Sequence, residues 1–401
     1  MAEIMRIGFL PLVDAALPIL AREMGFAEEE GLSLDLIRDM SWATVCDRLL
    51  YGHSDAAHLV APLAIATTLG LGRPPVPLSV PFVLGLNGNA ITMRTDLAGQ
   101  VTDIGAPGDV AAIGARLAMV VRGGGPRLKF GVVHRYSSHN YMLRYWLMAS
   151  GIDPNADVDI VTVAPPFASD ALASGEVDAI CVGEPWNSVA VDQGAGVIIA
   201  ITAQIWRRGV EKVLAMKTAA LEAEGERSAR LLRALWKAGK AFVDPDRLDA
   251  VASILARAAY LDGSVDLIRG AISDHVRFAS GFDPVHVPDF MFQHREAANF
   301  PWQSQAAWLY AQMCAAGHVR LDEADYAAAS GVFRPDVYRA ALSPLGVPLP
   351  GASAKLEGGI AAPLGVGTTQ GRLVLGPDRF FDGRPFDPMQ LDVYLSDLPK
   401  K

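Results

Sequence analysis

Three segments of this chain carry residue types that can hold a small anion. Positions 134–141 read His-Arg-Tyr-Ser-Ser-His-Asn-Tyr and open a helix, with His139 in its first turn. Positions 181–187 read Cys-Val-Gly-Glu-Pro-Trp-Asn and follow a strand. Val210, Glu211 and Lys212 lie downstream. The free N–H groups and positive end of a helix make a seat for negative charge, and an imidazole there can donate a hydrogen bond. A lysine adds a charge-assisted bond worth roughly 1.5–3 kcal/mol. Trp42, after a serine at position 41, brings an indole N–H that only donates. Asn89 sits in the polar break Asn87, Gly88, Asn89 at the end of an apolar strand.

Each residue also has a plainer reading. His139 can merely cap its helix, Lys212 can be a solvated lysine beside Trp206, Arg207 and Arg208, Trp42 can be core, and Asn89 can be a turn residue. Glu184 with Trp186 suggests a carboxylate acid, but no second carboxylate or nucleophile pairs with it by motif. No nucleophile elbow, phosphate-binding loop or zinc-protease motif occurs. Gly123, Gly124 and Gly125 lack the lysine and hydroxyl residue of a phosphate loop and read as a turn. The sequence therefore points to binding, not catalysis.

Bulk composition narrows the classes. The 401 residues are 51% apolar, enough for two ordinary domains with cores. The net charge of −9, with no basic stripe, argues against direct nucleic-acid contact. Any anion must be held by local geometry and not by the field of the whole protein. Cys46, Cys181 and Cys314 are far apart and form no metal-binding spacing, so neither a metal nor a cofactor is expected. The longest uncharged run, positions 74–93, contains four prolines and so does not read as membrane-inserted. The N-terminus runs almost directly into Met5–Leu10, and Asp14 and Pro18 interrupt the apolar run an export leader needs, so the expectation is a cytoplasmic protein.

Positioning these residues requires alternating strands and helices. Positions 5–10, 32–37, 54–60 and 77–84 read as strands, with helices from Asp14 and from Trp42 between them. The second helix is capped by Ser41 and closed by Gly52. The grammar restarts near Asp96, with strands at 128–133, 158–163, 177–182 and 197–202. Two lobes follow, residues 1–95 plus 205–401 and residues 96–204, with a cleft between them. Helices at 228–243, 246–260, 265–273 and 302–315 decorate the first lobe. The glycine- and proline-rich stretch 344–371 reads as an extended wrap or loop.

Taken together, these motifs resemble a known family. They are the 134–147 segment, Pro165-Pro166, the 181–187 segment, Glu211-Lys212, positions 13–18, Ser41-Trp42, Asp55–His58, Asn299–Trp302, Phe333–Tyr338 and Phe380–Gly383. They resemble the nitrate- and bicarbonate-binding subunits of bacterial ABC uptake systems and, closer still, their leaderless NasS-type cytoplasmic nitrate/nitrite sensors. The resemblance covers nearly the whole chain. It implies an α/β, two-lobed fold of the type II periplasmic-binding kind, each lobe a mainly parallel sheet flanked by helices. It implies an anion pocket of Trp42, Gly85, Asn89, His139 and Lys212, backed by Ser138, Asn140, Glu184 and Trp186. Where the transport subunits carry a glutamine, this chain has Asn89, one methylene shorter. Lys212 argues against bicarbonate. The implied function is a sensor for nitrate or nitrite that holds an ANTAR-type, NasT-like RNA-binding antiterminator and releases it when the anion binds. The alternatives are a solute-binding subunit for uptake and, from another class, an enzyme on the same fold.

Overall fold

The computed structural model describes residues 2–398. Two sheets organise them. In the first lobe β1 (Glu3–Phe9), β2 (Leu32–Arg38), β3 (Ala56–Val60) and β4 (Leu78–Asn87) are crossed over by helices. In the second, β5 (Asn89–Met93), β6 (Lys129–Val132), β7 (Asp159–Thr162), β8 (Ala179–Gly183) and β9 (Val197–Ile201) form the order β7-β6-β8-β5-β9. The chain then returns as β10 (Val210–Lys217). After a separate ribbon of β11 (His275–Val276) and β12 (Val285–His286), β13 (Met291–Phe292) completes the first sheet. The first sheet's order is β13-β4-β10-β3-β1-β2.

Each sheet is parallel except for the strand that has just crossed from the other lobe and, in the first sheet, the short edge strand β13, which is antiparallel to β4. β5 runs antiparallel to both β8 and β9, and β10 runs antiparallel to both β3 and β4. The first crossing is abrupt. Asn87 ends β4 with φ 61° and Gly88 has φ 81°. A Cβ on Gly88 would sit 3.1 Å from the Met291 side chain, so glycine answers both the left-handed backbone and the close approach. The sheet change therefore falls before Asn89, ahead of the pattern's restart near Asp96. Asn87 also clasps the second crossing. Its amide donates to the carbonyls of Arg207 and Asp289, and its oxygen accepts from Gly209 N.

The helices that point at the cleft are fixed by local chemistry. Ser41 Oγ accepts from Thr44 N and starts Trp42–Leu50, and Gly52, at φ 78°, follows its end. Ser137 Oγ accepts from Asn140 N and starts Ser138–Ala149, and Gly151, at φ 79°, follows that one. Caps of this kind are worth about 1 kcal/mol each. Val13 N donates to the Glu184 carbonyl and the Trp186 indole to the Pro11 carbonyl, so the two lobes are in contact across the cleft.

The helices Gly225–Phe242, Leu248–Leu255, Val265–Ile272 and Gln303–Ala315 occupy the expected places, and Glu323–Gly331 and Pro335–Leu342 add to them. They are not confined to the first lobe. Trp308 packs edge-on against Tyr145 of the second lobe, Tyr145 Oη donates to Asp382, and Tyr141 Oη lies 2.8 Å from His318 Nδ1. The 344–371 stretch is extended and pairs in short ribbons, Leu349–Pro350 with Thr368–Gln370 and Leu364–Val366 with Leu373–Leu375.

Candidate functional site

At the carboxyl ends of β1, β3 and β4, a buried lysine meets two buried carboxylates. Lys212 Nζ is 2.8 Å from Asp14 Oδ2 and 2.8 Å from Glu211 Oε1. Asp14 stands in a short helical turn just beyond β1, and Lys212 and Glu211 open β10. His58, on β3, accepts the Leu10 N–H at Nδ1, so its proton sits on Nε2. That nitrogen is 2.9 Å from Asp14 Oδ1, off the straight hydrogen-bond axis. From the second lobe, His139 Nδ1 comes within 3.2 Å of Glu211 Oε1, again off axis. Trp42 closes the group, its ring edge-on to His58 at 5.1 Å and its centroid 5.4 Å from Lys212 Nζ. None of these residues is more than 3% exposed.

Burial and charge pull against each other here. Burial alone would raise the Asp14 carboxyl, but Lys212 and His58 outweigh it and hold it at about 2. Burial opposes the charge on Lys212, but Asp14 and Glu211 outweigh it and raise the amine above its ordinary range. Glu211 moves the other way, because burial exceeds the help it receives from Lys212. Burial and then the Lys212 charge push His139 well below 6.5, so it is neutral at physiological pH. The lysine charge is thus already balanced, and the site is not a positive well.

What the cluster has in surplus is neutral donors. Among the described residues, Trp42 Nε1, Asn89 Nδ2, Gln293 Nε2 and both ring nitrogens of His139, one of which carries the neutral ring's N–H, are buried without a hydrogen-bond partner. An unpaired buried donor costs about 1–3 kcal/mol, so a group of them needs an acceptor. They are held against the same centre. Asn89 pairs with Gly183 across β5 and β8, and a Cβ on Gly183 would lie 3.1 Å from Asn89 Oδ1 and 3.4 Å from Asp14 Oδ2. The missing side chain of Gly183 is what lets the second lobe's amide approach the first lobe's aspartate. A small acceptor with several oxygens fits such a shell.

The model of the NMT1-like family matches residues 2–256, more than half of the chain. The chain belongs to the NMT1-like family. It is 30% identical over 344 residues to the nitrate import ATP-binding protein NrtC of Synechocystis, covering 85% of this chain and 50% of that protein. The chain thus spans about half the length of NrtC. It is 28% identical over 405 residues to the nitrate/nitrite binding protein NrtA of Synechococcus elongatus, covering 98% of this chain and 86% of the relative. The crystal structure of the periplasmic nitrate-binding protein NrtA from Synechocystis superposes with a TM-score of 0.86 at 24% identity, over 99% of this chain and 98% of that one. The fold is therefore the two-lobed, periplasmic-binding-protein-like one.

Within this NMT1-like site the sequence-read residues separate into two sets. Trp42, Asn89, His139 and Lys212 meet as described, and Gly85 lies opposite Lys212 in the pairing of β4 with β10. Ser138 Oγ donates to the Glu211 carbonyl and ties the His139 helix to β10. Asn140 and Trp186 are spent elsewhere. The Asn140 amide donates to the Arg135 carbonyl and its oxygen accepts from Arg144, while the Trp186 indole donates to the Pro11 carbonyl and joins the lobes. The Glu184 carbonyl accepts from Val13 N, and its buried carboxyl, which accepts from Ser188 N, is pushed up to about 7 by burial. The basic cluster before Lys212 does not feed the site. Arg207 pairs with Asp289, and Arg208 with Asp289 and Glu296. Asp14, His58, Gly183, Glu211 and Gln293 received no role from sequence. Asp14, His58, Gly183 and Glu211 stand inside quoted motifs, so the motif was the available signal. Gln293 carried none.

Proposed function

We propose that this NMT1-like chain binds nitrate or nitrite in its interlobe site and is a binding protein, not an enzyme. The carrying observation is the shell of unpaired neutral donors around a lysine whose charge Asp14 and Glu211 already balance. Such a shell favours a small monoanion. A dianion would bring twice the charge into a buried place whose lysine is already paired, which costs more than bringing one. The names of the NrtA and NrtC relatives point to nitrate and nitrite among the monoanions.

The role proposed for binding is sensing. In the cytoplasm the anion-free chain holds an ANTAR-type, NasT-like RNA-binding antiterminator, and the anion releases it. The chain's acidic balance of −9 suits a basic RNA-binding partner by complementary potential. The closed arrangement is held by bonds across the cleft, among them Val13 N to Glu184 O and Trp186 Nε1 to Pro11 O. An anion that binds only this arrangement shifts the population toward it, and differential affinity is the only thing that can. Direct nucleic-acid contact and membrane insertion are not part of the proposal. No helix among the described residues is long and apolar enough to cross a membrane.

A second reading, the solute-binding subunit of an ABC-type nitrate uptake system, is favoured by the NrtA and NrtC names themselves. Co-purification from lysate separates the two. The sensor reading expects a basic RNA-binding partner that is lost in millimolar nitrate or nitrite. Recovery of the protein in the periplasmic fraction, or a complex indifferent to both anions, favours uptake. Calorimetry with nitrate, nitrite, sulfate and phosphate tests the ligand class, and tight sulfate binding would refute it.

A further inference from the structure

We infer that Gln293 is a ligand-contacting residue of the anion site, reaching it from the edge of the first sheet across Gly85. The inference rests on the anion-binding reading above and adds a donor to it. Register supplies the argument. β13 pairs antiparallel with β4 as Met291 with Asn87 and Phe292 with Leu86, so one step further Gln293 faces Gly85. On the other side of β4, Gly85 faces Lys212 of β10. Gln293, one residue past the end of β13, is thus in line with Gly85 of β4 and Lys212 of β10. Residues directly opposite one another in a sheet project from the same face.

The middle position has no side chain, and the outer one fills the space. Gln293 Nε2 lies 2.8 Å from where a Gly85 Cβ would stand. The amide is folded over the glycine, whose other neighbour in the sheet is Lys212. It is 1% exposed, and among the described residues neither its nitrogen nor its oxygen has a hydrogen-bond partner. A glutamine held in a buried place with both amide atoms unused is costly, as for the donors of Trp42, Asn89 and His139. Those donors approach from above the strand ends and from the second lobe, and Gln293 approaches from the sheet. A trigonal oxyanion has one more oxygen to satisfy than a bent one. Gln293 Nε2 is the donor assigned to that oxygen, so the residue favours nitrate over nitrite.

The test is calorimetric titration of wild type, Gln293→Leu and Gly85→Ala with nitrate and with nitrite, each checked by thermal melting. Leucine keeps the volume and removes the donor. Alanine at 85 leaves Gln293 intact but drives its amide aside. Both variants are expected to lose about tenfold in nitrate affinity and less in nitrite affinity, the size of one hydrogen bond to a charged group. Gln293→Leu should melt no lower than wild type, because the amide it removes is unpaired. Unchanged nitrate affinity in whichever variants fold overturns the role of Gln293, and equal losses for both anions overturn its selectivity. A wild type silent to both anions overturns the anion-binding reading itself, and Gln293 with it.

Discussion

Two lysines of this protein are buried against pairs of carboxylates, and they have opposite characters. Lys355 Nζ is 2.6 Å from Glu357 Oε2 and 2.5 Å from Asp378 Oδ2. The remaining oxygens are also used, since Ser304 Oγ donates to Glu357 Oε1 and Ile360 N to Asp378 Oδ1. All four carboxylate oxygens are thus paired, and the cluster pins the 355–378 wrap to the helix that begins at Gln303. Lys212 has the same two-carboxylate balance, but around it Trp42, Asn89, His139 and Gln293 keep unpaired polar atoms. In both clusters the lysine is raised and the glutamate pushed up by burial, so perturbed titration does not tell them apart. The unused hydrogen-bonding capacity does. A buried ion pair marks a ligand site only where its surroundings still have something to give.

The largest effect that sharpens this contrast is on stability. Lys355→Met strands Glu357 and Asp378 without their cation, and breaking a buried pair in this way costs about 3–5 kcal/mol. Urea unfolding at neutral pH should show that loss while nitrate affinity stays as in wild type. A change in affinity would mean that the two clusters are not separate in role.

Another buried acid, Glu184, has no lysine partner, and burial lifts it from an ordinary 4.5 to about 7. The folded state keeps a proton there that the unfolded chain has released. The stability contributed by the neutral carboxyl is complete below pH 4.5 and is lost as pH rises through about 7. The difference is about 3 kcal/mol. Glu184→Gln should therefore match wild type near pH 4 and exceed it by about that amount at pH 8. Parallel stability profiles for the two proteins would contradict this.

The smallest effect concerns His139, which is neutral across the physiological range. In the Glu184→Gln background, nitrate affinity should vary by less than about twofold between about pH 6 and 8. A tenfold loss over that range that disappears in His139→Gln would show that the imidazolium is the binding form.

How much of this was legible beforehand follows from where each residue sits. Trp42 and His139 were visible because Ser41 and Ser137 are helix caps, a signal confined to three residues of sequence. Both lobes were visible because strand and helix periods alternate. The carboxylates were not. Asp14 meets Lys212 only through the order of β1, β3 and β10, and a sheet's strand order is not written in any one segment. Glu211 stands next to Lys212 in the chain, but neighbours on a strand point to opposite faces, so adjacency alone did not announce their contact. Asn140 misled for the opposite reason, since it stands beside His139 but turns to Arg135 and Arg144. Gln293 follows a two-residue edge strand too short to show a period, and its place is set by the antiparallel register with β4.

The central claim is that Lys212, with the unpaired donors around it, binds the anion. Removing the lysine alone would strand both Asp14 and Glu211, so the decisive comparison is the double variant Asp14→Asn, Glu211→Gln against the same protein carrying Lys212→Met as well. Calorimetric titration with nitrate should show binding in the micromolar range for the double variant, about −8 kcal/mol, and at least about tenfold weaker binding once Lys212 is replaced. Equal nitrate affinity in the two proteins would contradict the account.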